Sequence, residues 1–393
     1  MALDVAGIQE SLRAEGLDGW LLYDFHGSNP IAGRITGLSG SPKMTTRRWY
    51  YLIPAQGEPR GLVHAIERHN LDELPGPKQI YASHDQLESA LTAILRGVRR
   101  IAMEYSPECA IPYVSRVDAG TVEAVRKRVA DIVSSGDLIQ RFEACWDQRA
   151  LATHLDASAC LYRVKDRAFD AIAQRLRDDG ATTEYDIQQL MVGWFAEEGL
   201  VSDSAPVVGA MENAGNPHYL PTPSRTRAIR ANELVLLDLW AKRDTPLAVF
   251  ADITWVGFTG SAIPATFVRA FHAVRDGRDA AIELVQQAAR DGRELRGWEV
   301  DRACRAVLER AGYGAQILHR TGHSLGETVH GNGVHLDDYE THDTRRLLPG
   351  AGFTIEPGVY FETFGVRSEI NMYVGERDAT VTGPAQQELV QLA

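Results

Sequence analysis

The chain has 393 residues, 44% of them hydrophobic and 24% charged, which excludes a disordered or collagen-like protein. Its 41 Lys+Arg against 53 Asp+Glu give a formal net charge of -12. That argues against nucleic acid or an anionic membrane as partner, because both need clustered positive charge, and no apolar run reaches the roughly 18 residues of a membrane-spanning helix.

Residues 1–16 carry Asp4, Glu10, Arg13 and Glu15. They lack the basic and apolar regions of a secretory leader, so a cytoplasmic location is expected. Residues 8–17 are predicted as a short amphipathic helix. Residues 19–23, 48–54, 61–64 and 100–104 are predicted as strands, the second stopped by Pro54. Strands separated by helical stretches indicate a small α/β domain, placed at residues 1–145. The four cysteines, Cys109, Cys145, Cys160 and Cys304, form no CxxC pair and are read as small core residues.

A polar break at 134–137 precedes a helical pattern. Leu161, Val164, Ala168, Phe169, Ile172 and Leu176 recur at helical spacing until Gly180, and Thr183 with Asp186 opens a second helix. Residues 234–240 and 249–256 are predicted as strands joined in a hairpin through the polar loop 242–246. Helices are predicted at about 265–289 and 299–311, and the last stretch is strand-like with Gly-rich turns. Residues 146–393 therefore read as an α+β domain, with helices covering an antiparallel sheet.

Four acids fall within apolar strand contexts: Asp238 in Val-Leu-Leu-Asp-Leu-Trp, Asp252 in Phe-Ala-Asp-Ile-Thr-Trp, Glu356 in Phe-Thr-Ile-Glu-Pro-Gly-Val-Tyr, and Glu369 in Val-Arg-Ser-Glu-Ile-Asn. An unpaired buried carboxylate costs several kcal/mol. Arg367 could pair with one of them; no comparable supply of cations serves the other three. A bound divalent metal makes such a cluster tolerable. His323, between Gly322 and Ser324-Leu-Gly, is a tightly placed imidazole and a fifth candidate.

The ordered set Asp238, Asp252, His323, Glu356, Glu369 resembles the five ligands of the M24, or pita-bread, metallopeptidases, over about residues 150–381. Gly-His-Ser-Leu-Gly, Ile-Glu-Pro-Gly-Val-Tyr and Val-Arg-Ser-Glu are close to that family's phrases. The first third is similar, more weakly, to the amino-terminal domain of its prolidase, Xaa-Pro aminopeptidase and creatinase branch. The resemblance implies a pita-bread catalytic domain and two divalent metal ions. Mn²⁺ is favoured by a set of four carboxylates and one imidazole, with Co²⁺, Zn²⁺ or Fe²⁺ as alternatives. It implies that Asp252 and Glu369 bridge the ions, that Asp238 completes one shell, and that His323 and Glu356 complete the other. A bridging hydroxide would attack the scissile carbonyl. Glu356 would move the proton, and His330 and His218 would orient substrate and stabilise the oxyanion. Arg367 would orient a carboxylate, or else be a surface arginine. Tyr360 would donate a hydrogen bond, or else pack in the core. His319 is a candidate to support His323 from behind, and His335 and His342, in a polar loop, either reach the cleft or, more commonly for such residues, are solvated.

This chain also departs from the family pattern. Its two aspartates stand fourteen residues apart rather than eleven, which lengthens the hairpin turn, and Trp240 replaces the usual Gly two residues after the first Asp. Gly331 and Ile370 stand where acids are usual. The expected activity is hydrolysis of Xaa-Pro dipeptides by a homodimer acting on short proline-containing peptides. The alternatives are an Xaa-Pro aminopeptidase acting on longer peptides, or a non-peptidase hydrolase or lyase on the same fold.

Overall fold

A computed structural model describes residues 3–39 and 44–392; Met1, at the head of the segment read for a leader, lies outside them. The chain divides into two compact units, Met1–Glu143 and Ala144–Ala393. No described helix is long and apolar enough to cross a membrane.

In the first unit, α1 (Val5–Ala14) begins three residues before its predicted start, because the Asp4 carboxylate accepts the Gly7 N–H and caps it there. Six strands follow: β1 (Gly19–Asp24), β2 (Trp49–Pro54), β3 (Arg60–His64), β4 (Lys78–Tyr81), β5 (Arg100–Met103) and β6 (Asp131–Ser134). They form one mixed sheet in the order β4-β3-β2-β1-β5-β6, with β1–β2 and β2–β3 antiparallel and the other pairs parallel. Helices α2 (Pro30–Ile35), α3 (His84–Ile94), α4 (Ala119–Arg126) and α5 (Gly136–Ile139) complete the unit. Alternate strand residues point to opposite faces, and both faces are covered. Leu21, Tyr23, Tyr50 and Leu52 pack against Leu87, Leu91 and Val122. Trp20, Leu22, Trp49 and Tyr51 pack against Ile8, Leu12 and Ile139.

The second unit opens with α6 (Gln148–Asp179), much longer than the apolar run starting at Leu161 indicates, because Asp147 caps it early. Gly180, at φ 73°, ends it in the left-handed region. Then come β7 (Thr182–Thr183), α7 (Glu184–Glu197), β8 (Leu200–Val201), β9 (Val207–Ala210) and β10 (Ala228–Ile229). The hairpin strands are β11 (Leu234–Arg243) and β12 (Ala251–Phe258), flanked by β8, β9 and a late strand, β18 (Val390–Gln391). Leu237, Leu239, Ala251 and Ile253 face α6 and α7 in a common core. Helices α8 (Ala265–Asp291) and α9 (Gly297–Arg310) pack behind β13 (Gly352–Ile355) and β16 (Ile370–Val374), which pair antiparallel. The remaining strands are β14 (Gly358–Tyr360), β15 (Gly365–Arg367) and β17 (Ala379–Val381). Glu356 and Glu369 lie one residue beyond and one before a strand, not inside one. Cys160 and Cys304 are buried as expected, but Cys109 is exposed at the surface of the first unit.

Candidate metal centre

The register of the hairpin decides which side chains share the face opposite α6. Asp238 lies across from Thr254, and Trp240 across from Asp252. Directly opposite residues point the same way, as do residues two apart. Asp238, Trp240, Asp252 and Thr254 therefore share one face, while their apolar neighbours Leu237, Leu239 and Ile253 enter the core. The pairing runs unbroken from Leu234 and Phe258 to Ala241 and Ala251, and residues 244–250 connect the two strands.

The β16 region meets this face. The Glu369 N–H donates to the Thr254 carbonyl at 3.2 Å. The Thr254 hydroxyl lies 2.7 Å from Glu369 Oε2 and 3.2 Å from Asp238 Oδ1. His323 arrives on a segment pressed against β13. Its N–H donates to Thr354 Oγ1 at 3.0 Å and its carbonyl accepts the Thr354 N–H at 2.9 Å. A Cβ on the preceding Gly322 would come within 2.0 Å of the Thr354 carbonyl oxygen, so only glycine allows that approach.

Asp252, His323 and Glu369 are buried, and each offers a ligand atom within 4.8 Å of the others. The His323 Nδ1 faces the Ser324 carbonyl at 3.2 Å; since a carbonyl only accepts, Nδ1 carries the proton and Nε2 keeps a lone pair. That Nε2 is 3.6 Å from Asp252 Oδ2 and 3.4 Å from Glu356 Oε1. Asp252 Oδ1 is buried with no hydrogen-bond partner. Burial, then the Asp238 and Glu356 charges, raise the Asp252 carboxyl well above the ordinary range. Burial and Asp252 do the same to Glu369. A bound cation relieves the repulsion among acids crowded in this way. An orphaned carboxylate oxygen, a lone pair on Nε2 and mutual repulsion among the acids together fit a divalent metal.

Asp238 is balanced differently. The Arg367 guanidinium, itself buried, forms an ion pair with Asp238 and donates to Thr254 Oγ1 at 3.0 Å and to the Tyr360 hydroxyl at 3.2 Å. Burial opposes its charge, but Asp238, then Tyr360 and Glu356, hold it firmly protonated. Arg367 is not a surface residue. The His319 Nδ1 bonds the Arg320 carbonyl at 2.7 Å, so its Nε2 accepts the Tyr360 hydroxyl at 2.7 Å. Burial holds His319 at about 4 and Tyr360 at about 12, so both are neutral.

His330 sits edge-on to His323, ring centroids 4.4 Å apart. Desolvation, then His323 and Arg320, lower it to about 3. The His218 side chain is exposed, and its backbone N–H bonds Asn216 Oδ1 at 3.0 Å. His335, read as a solvated loop residue, is fully buried and accepts the Ser324 N–H at 3.0 Å. It braces the His323 segment from within. His342 stays near the surface, bonded to Asp338 at 2.6 Å.

Asn371 was missed in the sequence. Its side-chain oxygen accepts the Asp252 N–H at 2.9 Å, and its amide donates to the Asp252 carbonyl. The only hint was its place two residues after Glu369.

A model of metallopeptidase family M24 matches residues 159–376. An Xaa-Pro dipeptidase of Lactobacillus helveticus is 32% identical over 211 residues, covering 51% of this chain and 49% of the relative. A second, from Lactobacillus delbrueckii subsp. lactis, is 31% identical over 214 residues, 52% of this chain and 51% of that one. The chain thus spans about half the length of the curated relatives it matches. The fold is that of solved structures along nearly the whole chain. The dipeptidase PepE of Mycobacterium ulcerans superposes with TM-score 0.68 at 20% identity, covering 99% of this chain and 96% of that one. The prolidase of Pyrococcus horikoshii OT3 superposes with TM-score 0.58 at 19% identity, covering 98% and 99%.

Proposed function

The chain belongs to metallopeptidase family M24, and from that premise we propose that it is a dinuclear metal hydrolase cleaving the Xaa-Pro bond of dipeptides. The observation carrying the reading is the convergence of Asp252, His323 and Glu369 around an unpartnered carboxylate oxygen. Asp238 and Glu356 border the same cluster and complete the proposed ligand set, with Mn²⁺ as the favoured ion. The Xaa-Pro dipeptidases among its relatives support the choice of substrate. We extend the proposal to residues 1–145 as an accessory domain of the prolidase type, and to a homodimer.

When bound, such a metal pair lowers the pKa of water and polarises the carbonyl to be cleaved. The chain's own residues do the rest. Glu356 accepts the proton of the attacking water and returns it to the departing proline nitrogen. His330, neutral beside His323, donates a hydrogen bond to the oxygen on which charge develops, and His218 orients the peptide from the exposed side. Arg367 holds Asp238 in place while its own hydrogen bonds hold Thr254 and Tyr360.

Steady-state hydrolysis of an Xaa-Pro dipeptide against the matching Xaa-Pro-Yaa tripeptide, with and without Mn²⁺, tests the reading. Metal-dependent cleavage of the dipeptide in preference is expected. Preference for the tripeptide would make the enzyme an aminopeptidase, and no cleavage of either would end the proline-specific reading.

A further inference from the structure

Trp240 stands two residues after Asp238 on the same face of β11, and directly across from Asp252. Cross-strand partners hold their Cβ atoms about 4.5–5.5 Å apart, so the Trp240 side chain leaves the strand beside that of Asp252. It is only half-buried, whereas both aspartates beside it are buried. It packs against a buried cluster of Trp146, Val249, Phe250, Leu325 and Val329. Its Nε1 donates to Asp203 Oδ1 at 2.7 Å. Asp203 follows β8, which pairs with β11 at Lys242 and Arg243. The indole is thus held by its Nε1 and by an apolar cluster, and part of it is left exposed on the strand face that also carries Asp238 and Asp252. A buried core tryptophan would not expose that surface, and a free surface tryptophan would not be pinned.

We propose that Trp240 is a specificity-determining residue, the apolar wall against which the substrate side chain before the scissile bond packs. This rests on the peptidase reading: with proline fixed on one side of the bond, the side chain that varies is that of Xaa. A rigid aromatic surface favours a large apolar or aromatic Xaa over Gly, Ala or an acidic residue, the last also being repelled by Asp203. Asp203 is a positioning residue that holds the ring edge.

The test is kcat and KM for Gly-Pro, Ala-Pro, Leu-Pro and Phe-Pro on wild type, Trp240→Ala, Trp240→Phe and Asp203→Asn, with metal content measured for each. Wild type is expected to prefer Leu-Pro and Phe-Pro. Trp240→Ala is expected to lower kcat/KM for these two about ten-fold or more relative to Ala-Pro, mainly through KM, with metal content unchanged. Trp240→Phe, which keeps an aromatic but loses area and the bond to Asp203, and Asp203→Asn, which loosens the ring, are expected to show a smaller loss in the same direction. They carry the test if the alanine variant fails to fold. An unchanged preference in folded, metal-replete variants, or a wild type that prefers Gly-Pro, overturns the proposal and leaves the peptidase reading standing. Cleavage of none of the four by wild type overturns the peptidase reading, and this proposal with it.

Discussion

The side-chain amide of Asn371 takes both backbone polar groups of Asp252, accepting its N–H at 2.9 Å and donating to its carbonyl. β12 carries Asp252, and Asn371 lies two residues after Glu369. One amide therefore fixes the spacing between two acids that share the proposed metal. Asn371→Ala leaves two buried backbone groups unsatisfied, at about 1–3 kcal/mol each. Urea unfolding is expected to show a loss of that order, and calorimetric titration a weaker Mn²⁺ affinity. A stability loss with unchanged affinity would mean that the amide braces the fold without placing the carboxylate.

Arg367 and Asp238 are a buried ion pair. Arg367→Met strands the Asp238 charge, and breaking such a pair costs about 3–5 kcal/mol. If Asp238 also faces a metal, Mn²⁺ compensates part of that loss. The urea midpoint of the variant is expected to rise with Mn²⁺ by more than that of wild type. An equal rise in both would remove Asp238 from the ligand set.

Glu104 in the first unit gives a prediction for pH. It is fully buried and accepts from Trp20 Nε1 at 2.6 Å, Asn29 Nδ2 at 2.8 Å and Ser135 Oγ at 3.1 Å. Burial raises its carboxyl from 4.5 to about 7 against the pull of those donors. The folded state thus binds the proton more tightly than the unfolded state. Its contribution to stability is complete below about 4.5 and is lost as pH rises through about 7. The total is on the order of 3 kcal/mol. Glu104→Gln is expected to flatten that part of the stability–pH curve, read from the fluorescence of Trp20 and its neighbours during unfolding. An unchanged slope between pH 5 and about 8 would contradict it.

His154 supplies the opposite limb. It is fully buried in α6, with Nδ1 at 2.8 Å from the Phe250 carbonyl and Nε2 at 2.7 Å from Thr382 Oγ1. Burial lowers it from 6.5 to about 4. Its contribution is present above 6.5 and is lost as pH falls towards 4. His154→Gln is expected to lower stability at neutral pH and to remove that part of the acid sensitivity. A variant as acid-sensitive as wild type would assign the limb to other groups.

The sequence was informative where chemistry contradicts local context. Asp238 and Asp252 stand out because strands of Val, Leu and Ile do not otherwise carry acids; that both share one face follows only from the hairpin register. The family phrases around His323, Glu356 and Glu369 supplied the rest of the proposed ligand set. Asn371 escaped because it acts on the backbone of a residue 119 positions away, and no periodicity records that. His335 looked solvated because its loop carries Asn332, Asp337 and Asp338, yet the flanking Val334 and Leu336 turn inward and are buried with it. The sequence leaves open whether Arg367 is an ion-pair partner or a surface residue; β15 packs beside β11 and makes it the partner of Asp238. The early starts of α1 and α6 came from Asp4 and Asp147, whose capping carboxylates lie outside the apolar pattern.

Metal content tests the site most directly. Wild type, Asp252→Ala and Glu369→Ala, each equilibrated with Mn²⁺ and freed of excess, would be assayed by elemental analysis. Wild type is expected to hold about two ions per chain and both variants to lose them together with hydrolysis, since each removes a side chain proposed to serve both ions. A wild-type protein that binds no divalent ion, or variants with wild-type metal content and turnover, would contradict the assignment.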